Sequence, residues 1–419
     1  MADVDKAITI EDQQELGVRD RSKEMELEVE VEEESPDLEE FEQMEDGTIM
    51  FGAPTPPVDD TDFYSNLAEQ LDSSDLSTIK NDLMANVDSD KDSRSDWEKT
   101  YREGLEQLGM KYEERTQPFE GASGVMHPLL AESVTQFQAQ AYNELLPSQG
   151  PVKTQVLGMT TAESEQQASR VQEFMNYQLM QVMKEYDSET DQMLFYLPLS
   201  GSAFRKVYYD QNLDRAVSKF IPSEDLIVPY SATDLHSATR ITHVIDMSIN
   251  DIKKLQQVGF YRDVDISMGN IMADDYDEIQ EEVDELQGIS PNYNDTDTCK
   301  VHEIHTELDI PGFEDLDSEG EPTEIKLPYI VTIANDKVLS IRRNYKETDP
   351  LKRRINYFVH YKFLPGLGFY GFGLTHMIGG LSKASTSILR QLIDSGTLSN
   401  LPAGFKARGI RITNDDQPL

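Results

Sequence analysis

The chain of 419 residues contains a single cysteine, Cys299, so it can form no intrachain disulfide framework, and this usage suits a reducing compartment. No run of about 18 apolar residues occurs, which excludes a membrane-spanning helix. The N-terminus, MADVDKAITIEDQQ, lacks a basic stretch and an apolar core, so no secretory signal is expected. Positive charge is scarce. Thirty-seven Lys and Arg stand against 79 Asp and Glu, a formal net charge of -42. Such a chain does not coat nucleic acid through a general basic footprint, nor adhere to an anionic membrane. Catalytic signatures are missing as well. There is no G-x-x-x-x-G-K-[ST] loop and no G-x-S-x-G elbow, and the seven histidines form no recognisable catalytic pattern. The expectation is a large, acidic, cytoplasmic protein that is not an enzyme and uses no cofactor or metal. Its length predicts two or three folded units.

What charge there is falls unevenly. Residues 1–92 hold 6 Lys and Arg against 29 Asp and Glu, residues 263–324 hold 1 against 21, and residues 342–411 reverse the sign with 12 against 3. In the first block, self-repulsion and few large apolar residues predict a disordered acidic tail. Short helices are allowed within 62–87, where Phe63, Leu67, Leu71, Leu76, Ile79 and Leu83 recur. The alternation from Glu26 to Val31 is strand-like, but a solvated tail is the better reading. The basic stretch needs a negative counterpart, either phosphate or the chain's own acidic blocks.

Order is expected to begin near Ser95. Ser95 and Glu98 form an S-x-x-E capping box ahead of the apolar stripe Trp97, Tyr101, Leu105 and Leu108. Further helices are predicted over 128–145, ending before Pro147, over 162–186 and over 188–199. The segment PVKTQVLGMT (151–160) alternates like a strand, as do SAFRKVYYD, AVSKFIPSEDLIVP and TRITHVIDMS. A short helix starts at Asn250 and closes at Gly259. An acidic helix follows at 274–287, then strands in CKVHEIHTELDI, IKLPYIVTIANDKVLSIRRN and INYFVHYKFLP, with Asn335-Asp336 as a hairpin turn. A helix from 374 to 398 comes last. This order reads as α+β.

Three local motifs suggest chemistry and fail on their details. DSDKDSRSDWEK (88–99) spaces acids like a calcium loop but has Ser93 at the glycine position and Lys99 at the bidentate position. A solvated acidic helix cap is the better reading. Cys299, His302 and His305 have metal-like spacing, but on a strand His302 points away from the other two, and no second cysteine exists. GLGFYG (366–371) matches G-x-G-x-x-G, yet Phe369 and Tyr370 are bulky where a pyrophosphate would approach. The alternative is an apolar elbow between two packed elements.

The block GLGFYGFGLTHMIGGLSKASTSILRQLIDSGTLSNLPAGFKARGIRI resembles the portal (head-to-tail connector) proteins of tailed bacteriophages, most of all the large portals of short-tailed enterobacterial phages. Two other blocks carry the same resemblance, DWEKTYREGLEQLGMKYEERTQPFEGASGVMHPLLAESVTQFQAQAYNELLP and SGSAFRKVYYD with IPSEDLIVPYSATDL. Together they extend it over about 95–413. The resemblance implies a non-enzymatic subunit of a homo-oligomeric ring, about twelve copies around a channel for double-stranded DNA at one capsid vertex. Implied partners are the terminase packaging motor, scaffolding and major capsid proteins, and tail or adaptor proteins, with no membrane. Implied locations are the virion and, during assembly, the host cytoplasm.

On that pattern residues 1–92 are the acidic tail and 93–262 a wing-like α+β domain. Residues 263–298 form an acidic stem helix region and 299–365 a β-rich clip. Residues 366–419 supply a Gly-rich elbow, a stem or inner-wing helix and the start of a returning wing. Portals of this type continue past a segment like FKARGIRI, so residue 419 reads as an early terminus. Lys383 and Arg390, two turns apart on one helix face, are candidate DNA-proximal residues, as are Arg342 and Arg343. An inter-subunit ion pair with the acidic helix is the alternative role for Lys383 and Arg390. The helix 374–398 is apolar on more than one face, which predicts that a ring neighbour covers the second. The competing class is an acidic scaffold or adaptor that never touches DNA.

Overall fold

The computed structural model describes residues 63–109, 115–158, 160–210, 213–266, 278–288, 298–316, 321–323 and 325–400. Expectations for 1–62, for 274–277 and for FKARGIRI lie outside these residues. In chain order come the helices α1 (Ser73–Ser93), α2 (Ser95–Glu106), α3 (Leu129–Leu145), α4 (Ala162–Tyr177) and α5 (Glu185–Ser200). Strands β1 (Ser202–Asp210), β2 (Arg215–Ile221), β3 (Leu226–Ile227) and β4 (Arg240–Ser248) follow, then α6 (Ile249–Gln257) and α7 (Glu278–Gln287). The chain continues through β5 (Thr298–Leu308), β6 (Leu327–Ala334), β7 (Lys337–Arg343), β8 (Phe358–Lys362) and α8 (Leu374–Asn400). The class is mixed α+β, with two antiparallel sheets ordered β2-β1-β8 and β3-β4-β5-β6-β7.

Residues 63–92, placed in the acidic tail by composition, fold onto the rest of the chain. Leu76, Leu83 and Val87 lie on one face of α1 and are buried with Leu67 against Ile304, Val331 and Ile341 of the five-stranded sheet. Asp82, Asp88 and Asp92 remain exposed on the other face. A tertiary contact thus offsets the charge that made 63–92 look like tail. The Asn66 side chain completes the β7 edge, donating to the Leu339 carbonyl at 3.1 Å and accepting from the Ile341 amide at 3.0 Å.

The five-stranded sheet is covered on both faces, by α1 on one and by α6 with Ile252 and Tyr261 on the other. That is why β6 reads as an almost continuous apolar run. Asn335 and Asp336 have positive φ in the two-residue turn between β6 and β7, the conformation that tight hairpins require. The 299–365 segment does not stand apart, however. β5 pairs with β4 along its length, Asp246 facing Lys300, while β8 joins β1 in the other sheet. Strand pairing across long sequence separations leaves no local trace, so these partnerships escaped the sequence.

Smaller differences share one cause, a partner found elsewhere. Residues 151–158 are extended but join no sheet, because side chains of α4 satisfy them; Val152 donates to Asn176 Oδ1 at 2.9 Å and Thr154 to Gln172 Oε1 at 3.2 Å. Ser248, rather than Asn250, caps α6 by accepting from the Asp251 amide at 3.1 Å. The acidic helix α7 buries Ile279 and Val283 among Tyr101, Leu105, Leu130 and Leu199. The glycines of GLGFYG let backbones cross. A Cβ on Gly371 would lie 2.9 Å from the Leu364 carbonyl and closer still to that of Gly201.

The Ser95–Glu98 capping box does not form. Arg94 sits at the α1–α2 junction instead, and Glu98 Oε1 accepts from its Nε at 2.7 Å. The guanidinium is buried and donates to the carbonyls of Ser223 (3.1 Å), Leu226 (2.9 Å) and Glu224 (2.6 Å), and to the Tyr370 hydroxyl (3.3 Å). Trp97 stacks on Tyr370 at 4.4 Å beneath it. The calcium-like stretch is helical here, and Asp90 is buried and paired with Arg240 at 2.7 Å rather than solvated. Arg94→Lys keeps the charge but loses the fork, and is expected to cost about 3 kcal/mol in urea unfolding. A loss under about 1 kcal/mol would show that the fork is dispensable.

Between the sheets, Lys206 of β1 donates to both carboxylate oxygens of Glu303 on β5 at 2.6 Å. His305 Nε2 lies 2.7 Å from Glu303 Oε1, Asn344 Nδ2 lies 3.4 Å from His305 Nδ1, and His243 faces Glu303 across the β4–β5 pair. Burial raises the Glu303 pKa, but the Lys206 charge and the His305 hydrogen bond outweigh it and hold the carboxyl well below its usual range. Burial, then the Lys206 charge, pushes His243 from 6.5 down to about 3; burial and Lys362 do the same to His360. Both rings stay neutral in the folded chain while the unfolded chain takes up protons below 6.5. Their contribution to stability is complete above that pH and is lost as pH falls toward 3, at up to about 1.4 kcal/mol per pH unit per ring. Urea titrations at stepped pH should show this slope, and His243→Gln should flatten it; an unchanged slope would count against the neutral buried ring.

Candidate functional site

Helix α8 is built inside out. The residues it buries are Thr375, Gly379, Ser382, Thr386 and Asp394, a stripe of small and polar side chains at helical spacing. Leu374 and Ile378 at its start pack toward Tyr101 and Leu130, but the large aliphatic residues Met377, Leu381, Ile388, Leu392 and Leu398 face outward and are 60%, 61%, 67%, 70% and 52% exposed. Specific bonds fix this orientation. Thr375 Oγ1 donates to the Leu199 carbonyl at 3.1 Å, and its side chain fills the space that a Cβ on Gly104 of α2 would need. Thr386 Oγ1 accepts from the His127 amide at 3.0 Å, Asp394 Oδ1 from the Ser123 amide at 2.7 Å, and Arg390 Nε donates to the Val125 carbonyl at 2.8 Å. Segment 123–127 therefore lies along α8 through backbone groups that its polar stripe satisfies. Rotating the helix to bury the leucines would orphan these bonds.

Beside this stripe, α8, segment 115–126 and the end of α2 enclose a cleft of about 710 Å³. Lys383 and Arg390 both line it, together with Arg115, Glu106, Gln107 and Asp394. Lys383 is 70% exposed and only loosely paired, 3.5 Å from Glu103 of its own chain. Arg390 is half-buried, with Nη2 also 3.5 Å from the Gly124 carbonyl. The two residues expected together on one helix face are thus brought to one cleft.

Arg342 and Arg343 lie elsewhere, on β7, where both clamp the backbone of Phe63 and Tyr64. Arg342 donates to the carbonyls of Tyr64 (2.7 Å) and Phe260 (2.8 Å) and stacks over the Phe260 ring at 4.4 Å. Arg343 donates to the Phe63 carbonyl at 3.0 Å and lies over the rings of Phe63 and Phe313. Adjacent arginines in a basic stretch gave no hint of this role, since both partners are distant in sequence. The 375–379–382–386 stripe was visible as a run of small and hydroxylated residues at helical period, but pattern reasoning assigns the core to the larger aliphatic residues.

Cys299 is buried in the core between β5 and α6, and burial raises its thiol pKa. Among the described residues no group of three or more His, Cys, Asp or Glu is arranged to hold a metal, and no helix is long and apolar enough to cross a membrane. No protein-family model and no curated protein matches the chain. Thr386→Val keeps the side-chain shape but removes the acceptor for His127. It is expected to cost about 1–2 kcal/mol and to speed amide exchange at His127; unchanged exchange there would mean the bond does not anchor the segment.

Proposed function

We propose that the chain is a portal-type subunit of a tailed bacteriophage, which assembles into a closed homo-oligomeric ring at a capsid vertex through which DNA is packaged and ejected. The outward aliphatic face of α8 carries this reading. Burying each of its side chains against a neighbour contributes on the order of 1 kcal/mol. Five of them fall short of the cost of association by themselves, so α8 forms the centre of a larger contact. A second helix is also uncovered. α4 has no buried residue, and Val171, Phe174, Met175 and Tyr177 are exposed on it. Two unlike apolar helix faces on one chain suit a head-to-tail contact, which can close into a ring, better than a two-fold contact.

The remaining roles follow the resemblance. Lys383 and Arg390 are the cations nearest passing DNA, and the strongly acidic remainder of the chain keeps phosphate contacts few. Dense contacts would hold DNA by counterion release and oppose its movement. The packaging motor, scaffolding and capsid proteins, and tail or adaptor proteins are the partners of this reading.

Native mass spectrometry and negative-stain imaging test it. Rings of about twelve copies with an open centre are expected, in keeping with cyclic closure. The double substitution Ile388→Asp with Leu392→Asp should abolish them while leaving the unfolding midpoint unchanged. A monodisperse monomer or two-fold dimer across a range of salt refutes the reading and favours an acidic adaptor.

A further inference from the structure

A second cleft, of about 550 Å³, opens between the 236–239 turn, the start of β6 and the 350–356 turn. Lys326, Lys352, Arg353 and Arg354 line it against Glu307 and Asp315, with Asp349 beside Arg353, four cations to three carboxylates in a chain whose net charge is -42. The cations are not equivalent. Arg354 is held by carbonyls, those of Ala238 at 2.6 Å, Leu235 at 2.8 Å and His236 at 3.3 Å, and among the described residues no carboxylate is bonded to it, Glu307 acting through its charge. Burial, against the Glu307 charge, lowers its pKa. Lys352 pairs with Asp315, which also accepts from Thr323 Oγ1 at 2.8 Å.

Two cations remain for a ligand. Arg353 gives its Nε–H to Asp349 at 2.9 Å, with its side chain 75% exposed. Lys326 is exposed and pairs with no carboxylate among the described residues. Asn356 Nδ2 lies 2.8 Å from His236 Nδ1, and both side chains line the cleft.

We propose that this cleft binds a phosphate monoester dianion, free or carried on a nucleotide or a nucleic-acid 5′ end, with Lys326 and Arg353 as its principal ligands. A monoester presents three unesterified oxygens, enough for the free end of the Arg353 guanidinium and the Lys326 ammonium together, whereas a carboxylate or a phosphodiester presents two. The terminal nitrogens of a guanidinium fit two phosphate oxygens at once, and a cleft of this size admits a nucleotide. This inference stands independently of ring formation.

Calorimetry on the full chain at constant ionic strength, with chloride as the reference anion, tests it. Inorganic phosphate and adenosine monophosphate should each bind saturably at one site. Lys326→Glu combined with Arg353→Glu should weaken both at least tenfold with an unchanged unfolding midpoint. Arg354 is left intact because it ties down the 235–238 turn. Of two oligonucleotides differing only in a 5′ phosphate, the phosphorylated one should bind more tightly. Equal binding of the two, equal binding of wild type and variant, displacement of phosphate by an equimolar acidic peptide, or no saturable heat each overturns the proposal.

Discussion

The buried guanidinium of Arg94 is the constraint on which most of the architecture depends. A charge in the interior is tolerated only when it is bonded, and here three backbone carbonyls, one carboxylate and one phenol between them engage all three guanidinium nitrogens. The carbonyls come from the 223–226 turn, which leads into the five-stranded sheet; the phenol belongs to the Gly-rich segment preceding α8; Arg94 itself separates α1 from α2. One side chain therefore sets the angle at which two helices leave a sheet and fixes the segment that delivers the third. Lysine has the charge without the fork, and an apolar residue would orphan the carbonyls.

The same principle recurs between the two sheets. Phe204, Ile221, Leu226, Ile241, Phe358 and Phe369 form an apolar seam contributed by both. Lys206 and Glu303 cross it as an ion pair, with His305 and Asn344 completing the network. Apolar burial supplies the driving force there, while the polar network restricts how the sheets are joined. Where backbones cross most closely, at Gly201 and Gly371, side chains are excluded altogether.

Helix α8 reverses the usual division of labour. Beyond Leu374 and Ile378, which pack into the core, its inner face is polar because it serves the segment 123–127, whose amides and carbonyls need partners that leucine cannot offer. Its outer face is aliphatic, and nothing in the chain's own described residues covers it. Fold and assembly are in this way coupled: the bonds that seat α8 are the reason its apolar surface points away from the core. The cations beside it share the cleft that this orientation creates, and the second basic cleft arises where the turn after β7 folds back over the start of β6.

Much of the local structure was legible in the sequence. Period 3.6 marked the helices, period 2 marked β1 and β4, and Asn335-Asp336 marked a hairpin, because each signal depends on neighbours a few residues apart. The single cysteine, the segregated charge and the pairing of Lys383 with Arg390 on one face were likewise properties of the chain alone. The tertiary structure decided the rest. It paired β4 with β5 and β1 with β8, ordered an acidic helix by giving its apolar stripe a sheet to cover, and turned Arg342 and Arg343 into clamps. It also chose the polar face of α8 as the inner one. These outcomes rest on contacts such as that of Asn66 with Leu339, 273 residues apart. Periodicity shows that a face or a charge needs a partner, but only the folded chain brings that partner within hydrogen-bonding distance.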